Sequence, residues 1–413
     1  MIFKKNILSV FLLIHTILWA QNDTSSPYSL YGLGIENKTS FGGFTAMGNT
    51  GVAQITPFQI NNFNPANLSN IPLNSFLYEI GLNGTYSSIK TNDISQNTTD
   101  FNFSHLAIAF PITKTWGMSL GLIPYSKVGY NIDIENPIEG STDTFNTRII
   151  GSGGLNNLYW ANGIKIHEKI SLGVELSFLF GTIDEENWVL TDPIVNILDH
   201  NYYNGLKFKT GVHYTLPNIA GVETTLGATF EAPTKLKGMQ TRNSYKTIGG
   251  YQIDIERDTE NNLDDFELPL TISLGVSSKI NKNIISNFDY KKLWWENTNN
   301  YDNSGNYTNQ SIYAFGVEYK PSKGYGFSSL MKYRLGLNYN TGFLNISNQK
   351  IDTYSISIGL GVPMSKQNAS SLNISYSIGK EGTLSKNLIE ENFHKLTLNL
   401  SFMGNWFQKK KIF

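Results

Sequence analysis

Beyond residue 20 the chain carries five histidines, His105, His167, His200, His213 and His394. Histidine is the side chain best suited to move a proton near neutral pH. Catalysis would need one of them beside a nucleophile and a carboxylate. The five sit on separate segments with no shared motif, so the sequence assembles no such set and reads as a non-enzyme. HExxH, P-loop and EF-hand patterns are absent. Asp254, Asp258, Asp264 and Asp265 are spaced too irregularly for a Ca2+ loop and read as a solvated acidic stretch. With no Cys, the chain has no disulfide, thiolate metal site or thiol nucleophile. The 32 Lys and Arg balance 33 Asp and Glu, which leaves no electrostatic footprint for nucleic acid. No cofactor or metal is called for.

The elements that would position any site are strands. Tyr354, Ile356, Ile358, Leu360 and Val362 alternate with Ser355, Ser357, Gly359 and Gly361. Leu372 to Ile378 and Leu396 to Phe402 repeat the pattern. Side chains on a strand alternate between faces, so each segment has one apolar and one polar face. Runs of about nine to eleven residues with a polar inner face match tilted strands crossing a bilayer. The expected fold is all-β: a transmembrane antiparallel barrel of about fourteen strands, with an N-terminal segment plugging the lumen.

Four divisions follow. Residues 1–20 read as a signal peptide, with Lys4 and Lys5 ahead of an apolar stretch from Ile7 to Leu18 and small-residue cleavage near Ala20. Residues 21–73, rich in Gly, Asn and Ser with scattered aromatics, read as a plug. Residues 74–402 form the barrel, and 403–413 a periplasmic tail. In that tail, Trp406-Phe407 ahead of Lys409, Lys410 and Lys411 suits an interface anchor, or a dock for a membrane or periplasmic protein. The 24 Phe, 22 Tyr and 7 Trp fit aromatic girdles. Short turns alternate with long polar stretches near 132–149, 187–199 and 237–264, read as extracellular loops. On this register both chain ends lie in the periplasm, and His105, His213 and His394 face the lumen. So do Lys165, Glu175, Lys207, Lys209, Glu223, Glu231, Glu318, Lys332 and Arg334, read mainly as a lattice of ion pairs.

Two N-terminal stretches carry a resemblance. Ala46-Met47-Gly48-Asn49-Thr50-Gly51-Val52-Ala53, followed by Asn64-Pro65-Ala66-Asn67-Leu68, resembles the opening signature of the FadL family. Gly121-Leu122-Ile123-Pro124-Tyr125 and Phe288-Asp289-Tyr290-Lys291-Lys292-Leu293-Trp294 resemble its third-strand and acid-aromatic elements. The resemblance implies an outer-membrane barrel with an N-terminal hatch, taking up long-chain fatty acids or other hydrophobic compounds passively. Ligand would leave sideways into lipid at a kinked third strand. It implies a ligand path through the hatch residues Phe44, Met47, Phe58, Phe63, Asn64 and Pro65 and the gap residues Gly117, Gly121 and Pro124. The implied partners are outer-membrane lipid and a hydrophobic small molecule. Proline cannot donate to a ladder, so strand pairing is expected to break near Pro124. Asn49-Thr50 and the short acidic stretch 132–149 depart from the family pattern. The alternative is a non-transporting structural barrel within a secretion or outer-membrane-protein assembly complex.

Overall fold

A computed structural model describes residues 26–37, 39–302, 305–321, 327–364 and 369–405. The segment read as a signal peptide and the tail past residue 405 lie outside the described residues. The strands, in chain order, are β1 (Ile35–Glu36), β2 (Ser75–Lys90), β3 (Ser95–Pro111), β4 (Trp116–Pro124), β5 (Ser126–Pro137) and β6 (Thr144–His167). Next come β7 (Ile170–Leu190), β8 (Ile194–Thr215), β9 (Glu223–Glu231), β10 (Thr234–Ile248), β11 (Tyr251–Leu268), β12 (Thr271–Lys279) and β13 (Ile284–Leu293). The small hairpin β14 (Tyr301–Asp302) and β15 (Gly305–Asn306) precedes β16 (Gln310–Tyr319) and β17 (Lys332–Asn340). A second one, β18 (Asn345–Ile346) and β19 (Gln349–Lys350), precedes β20 (Thr353–Pro363), β21 (Ser371–Gly382) and β22 (Glu390–Asn405).

Antiparallel ladders join neighbours all the way round, and the first strand, β2, closes on the last, β22, from Ser75↔Asn405 to Lys90↔Glu390. Closure removes the barrel's edges, as a spanning sheet requires. The wall has fourteen positions, because β4 with β5, β9 with β10 and β11 with β12 each make one long strand broken near a proline: Pro124, Pro233 and Pro269. Side chains are arranged inside-out. Tyr354, Ile356 and Ile358 are about half exposed, whereas Ser357, Ser375, Thr397 and Asn399 are buried. The exposed apolar band meets acyl chains, where burying a charge would cost roughly 2–4 kcal/mol at the midplane. This is an outer-membrane barrel.

The long polar stretches are not loops. Residues 132–149, 187–199 and 237–264 fall largely within β5 to β8, β10 and β11, which run on beyond the barrel as a sheet. Outside the bilayer both faces of a strand meet water, so the alternation disappears while the ladder persists.

The described residues before β2 lie largely within the barrel. Tyr28 and Leu33 belong to an apolar cluster with Trp295, Tyr307, Leu344 and Leu388 from the extracellular connections. The Tyr28 hydroxyl donates to the Ile389 carbonyl at 2.6 Å. Residues 26–34 therefore sit at the extracellular mouth, not in the periplasm as the turn pattern implied for that end of the chain. Only the order of contacts in space reveals this, because strand alternation is silent before residue 75. His394 also departs from expectation. It pairs with Tyr86 and Ile378, both outward-facing, and bonds the Tyr376 hydroxyl at 2.6 Å.

Candidate functional site: the hatch, its glycine belt and an unpaired seam

Residues 41–71 cross the lumen as two short 3-10 turns, Thr45–Met47 and Pro65–Asn70, joined by irregular chain. Proline at the first position and the Asn64 side-chain Oδ1, which accepts from Ala66 N at 3.1 Å, start the second turn. The first ends at Gly48, whose φ of 69° suits glycine. Phe41, Phe44, Ala46, Met47, Ala66 and Leu68 are almost fully buried.

The wall answers this segment with glycine. Gly117, Gly163, Gly173 and Gly211 lie cross-strand from one another on β4, β6, β7 and β8. A Cβ at these positions would strike Leu68 O, Pro65 O, Ala66 N and Asn64 Oδ1, respectively. On the far side, Gly227 pairs with Gly275 and Gly316 with Gly336. There a Cβ would strike Val52 O, Asp289 Oδ1, Met47 O and Gly48 N. Backbone meets backbone around much of the circumference, an approach that any larger residue would prevent. Between these arcs Asp289 on β13 accepts Gly51 N at 2.6 Å and Val52 N at 3.0 Å through one carboxylate oxygen. The Asn64 amide donates to Val52 O at 2.9 Å and to Val212 O at 3.0 Å, tying the two halves of the hatch to each other and to β8. Asn399 Nδ2 reaches Gly42 O at 2.8 Å.

Above the belt the wall has a seam. β3 pairs with β4 only from Leu106↔Leu122 to Pro111↔Gly117. Past Pro124 the chain continues as β5, which pairs with β6 from Val128↔Gly153 outward but, among the described residues, not with β3. Two causes are local. Pro124 has no N–H to give, and Gly153 and Gly154 adopt φ of 102° and 144°, bending β6 where β5 joins it. The free base of β5 is taken by β1, through Ile35↔Lys127 and Glu36↔Ser126, with Asn37 N donating to Tyr125 O at 2.8 Å. One side-chain latch spans the seam: Lys127 Nζ lies 2.6 Å from Asp100 Oδ2 and 3.2 Å from Asn102 Oδ1.

Two cavities flank this place. The larger, about 640 Å³, reaches the wall at Phe101, Phe103, Pro124 and Lys127. Elsewhere it is lined mainly by Ser, Thr and Asn from β2, β3, β20 and β21, with Glu381, Glu391 and Lys395. The smaller, about 190 Å³, touches Phe63, Ile123, Pro124, Tyr125 and Tyr159, and also Lys207, Lys209, Lys291, Glu175, Glu231 and Asp289. Most of the inward charges do form ion pairs: Lys207 with Glu231 at 2.7 Å, Lys209 with Glu175 at 3.2 Å, and Arg334 and Lys332 with Glu318 at 2.8 and 3.2 Å. His213 Nε2 sits 2.9 Å from Val52 O, and His105 stacks on Phe41 at 4.0 Å between centroids. Both histidines pack the hatch against the wall. Among the described residues no His, Asp and Glu cluster could hold a metal ion.

Of the residues expected to touch ligand, Phe63 and Pro124 line the cavities. Phe44 meets Phe63 edge-on at 5.8 Å behind that lining. Met47, Asn64, Pro65 and Gly117 belong to the hatch–belt contact, Gly121 lies beneath the Tyr159 ring, and Phe58 is half exposed. Sequence reasoning missed the belt and the hatch-binding role of Asp289. The belt's signal, glycine at inward positions of adjacent strands, was present but becomes readable only once the pairing register is known.

A family model described as BamG matches residues 1–413. No curated protein matches the chain. Among solved structures, the chain is similar to a Pseudomonas aeruginosa FadL homologue at 13% identity, covering 90% of this chain and 100% of that one, with a TM-score of 0.65. It is also similar to the P. putida toluene transporter TodX, at 15% identity, 91% and 100% coverage and a TM-score of 0.63. The third is the CymD monoaromatic hydrocarbon channel, at 14% identity, 90% and 99% coverage and a TM-score of 0.62. At these identities the likeness fixes the fold: a FadL-like barrel.

Proposed function

The chain belongs to the BamG family, and from that premise we propose a hatch-closed outer-membrane barrel that passes hydrophobic compounds sideways into the bilayer at the β3–β5 seam. The observation that carries this reading is the missing ladder between β3 and β5. It coincides with the place where the 640 Å³ cavity reaches the wall at Phe101 and Phe103. A spanning sheet gives up backbone pairing in lipid only at a cost of several kcal/mol per unsatisfied group, so an unpaired stretch calls for a reason. The glycine belt closes the axial route, which leaves the side as the exit. Long-chain fatty acids and monoaromatic compounds are the substrates this reading entertains, and the three similar barrels are named for a FadL homologue, toluene and monoaromatic hydrocarbons. The test places cysteines at Asn102 and Lys127 and joins them with a short cleavable thiol crosslinker. Cells relying on this barrel should lose uptake of labelled oleate or toluene when the seam is joined and regain it on cleavage. Uptake indifferent to the crosslink would sink the lateral route.

A second reading has its own support. Seven charged side chains, Glu36 and the six named above, surround the smaller cavity, an unfavourable lining for hydrocarbon. The tall extracellular sheet is also more structure than a pore requires. Both fit a non-transporting subunit of a secretion or outer-membrane-protein assembly complex. Gentle extraction followed by intact-complex mass measurement separates the two readings: a stoichiometric protein partner supports the second, a solitary barrel carrying lipid the first.

A further inference from the structure

We propose that the outer edge of β11 is a docking strand, built to accept an extended, basic segment of a second surface-exposed protein as an added β-strand. The inference rests on the second reading above, a barrel working inside a complex.

β11 pairs with β10 from Thr234↔Leu268 to Ile248↔Tyr251, and among the described residues its other edge pairs with nothing. Among the described residues only its base is covered, where Asn299 and Asn300 bond Glu267. From Tyr251 to Asp265 the backbone groups facing away from β10 are thus open to a partner. Such a row of donors and acceptors is a template for pairing with another chain.

Proteins commonly blunt an exposed edge with a few charges or a bulge. β11 has bulge irregularities opposite Arg242 to Tyr245 and a left-handed φ of 46° at Asp258. Two features go beyond blunting. Tyr251, Ile253 and Ile255 are 80%, 45% and 55% exposed in a part of the sheet far above the lipid band, where no acyl chain rewards them. The exposed charge is also one-sided. Asp254, Glu256, Asp258, Glu260, Asp264 and Asp265 face water against a single arginine, Arg257. Among the described residues none of the six makes a salt bridge, whereas the basic residues of β10 that do, Lys235 and Arg242, are taken by Glu267 and Asp199. A partner strand with alternating Lys or Arg and apolar residues would supply the missing cross-strand charges and cover the three apolar side chains. An acidic strand or a second copy of this edge would be repelled.

The test uses the full chain in its own outer membrane. A photo-crosslinking amino acid replaces Ile255 or Glu260, with Leu190, on an internally paired strand, as the control. The expected result is one dominant adduct from both β11 sites and none from Leu190, joined to a partner segment with net positive charge. The adduct should fall at least tenfold in an Asp254→Lys, Glu256→Lys, Glu260→Lys triple variant, which still migrates as a folded barrel in unheated gels. Backbone hydrogen exchange of residues 251–263 should be slower in native membranes than in the purified chain. An adduct with a neutral or acidic segment or with a second copy of the chain overturns the proposal, as does one undiminished by charge reversal. A stoichiometric complex with no β11 adduct overturns it too, while leaving the second reading intact. A solitary barrel removes both.

Discussion

At the scale of single residues, the hatch is held by what the wall omits. At Gly336 a side chain has nowhere to go, because the Gly48 amide occupies that place. Gly336→Leu should push residues 46–49 off the wall and cost about 1–3 kcal/mol, in line with overpacked cores. The check is earlier unfolding in a gel-shift titration, with faster proteolysis within residues 40–71. Asp289 acts by addition. Its carboxylate satisfies two backbone N–H groups that no strand or helix pairs. Asp289→Ala should orphan both and cost about 1–3 kcal/mol, read as faster amide exchange at Gly51 and Val52 with the barrel ladders unchanged. Asp289 drew notice in the sequence only as part of a family-like strand. Its function needed the hatch to be brought beside it from more than two hundred residues away.

At the scale of elements, proline decides where the strands break. Pro124, Pro233 and Pro269 each interrupt a wall strand, but only the first opens a seam. The other two breaks leave β10 and β11 paired with β8 and with each other above them. The break at Pro124 was legible from sequence because a missing N–H is a property of the residue. Its consequence was not, since it depends on the bend that Gly153 and Gly154 put into β6. The extracellular rim gives a pH test. Lys380 lies 2.6 Å from Glu390 where β21 meets β22, and its ammonium holds the Glu390 carboxyl below the usual carboxylate range. A carboxyl depressed in the fold contributes stability above its unfolded pKa and loses it as pH falls through the lower folded value. Amide protection, meaning exchange corrected for its intrinsic pH dependence, at the end of β21 and the start of β22 should therefore be flat from neutral pH down to about pH 4 and fall below it. Lys380→Ala should lower protection there at neutral pH and flatten this pH dependence.

At the scale of the whole molecule, two closures stand in series: an apolar cap of residues 26–34 with the extracellular connections, and the hatch pressed on its belt. In planar bilayers the intact chain should show almost no ion conductance, because a fourteen-strand lumen conducts only when it is not filled. Deleting residues 40–71 should produce steady open-pore current. If the intact chain already conducts like an empty pore, the hatch does not seal.

The sequence by itself determined the barrel. Period-two alternation, charge restricted to one face and proline's missing donor are local properties, readable wherever lipid makes the two faces of a strand unequal. Above the membrane that inequality vanishes, so strands there looked like loops and only the folded ladder identified them. The belt, the cap at the extracellular mouth and the β3–β5 seam belong to the tertiary structure alone. Each arises where segments far apart in the chain approach to backbone distance, and no residue's own chemistry records which distant neighbour it will meet.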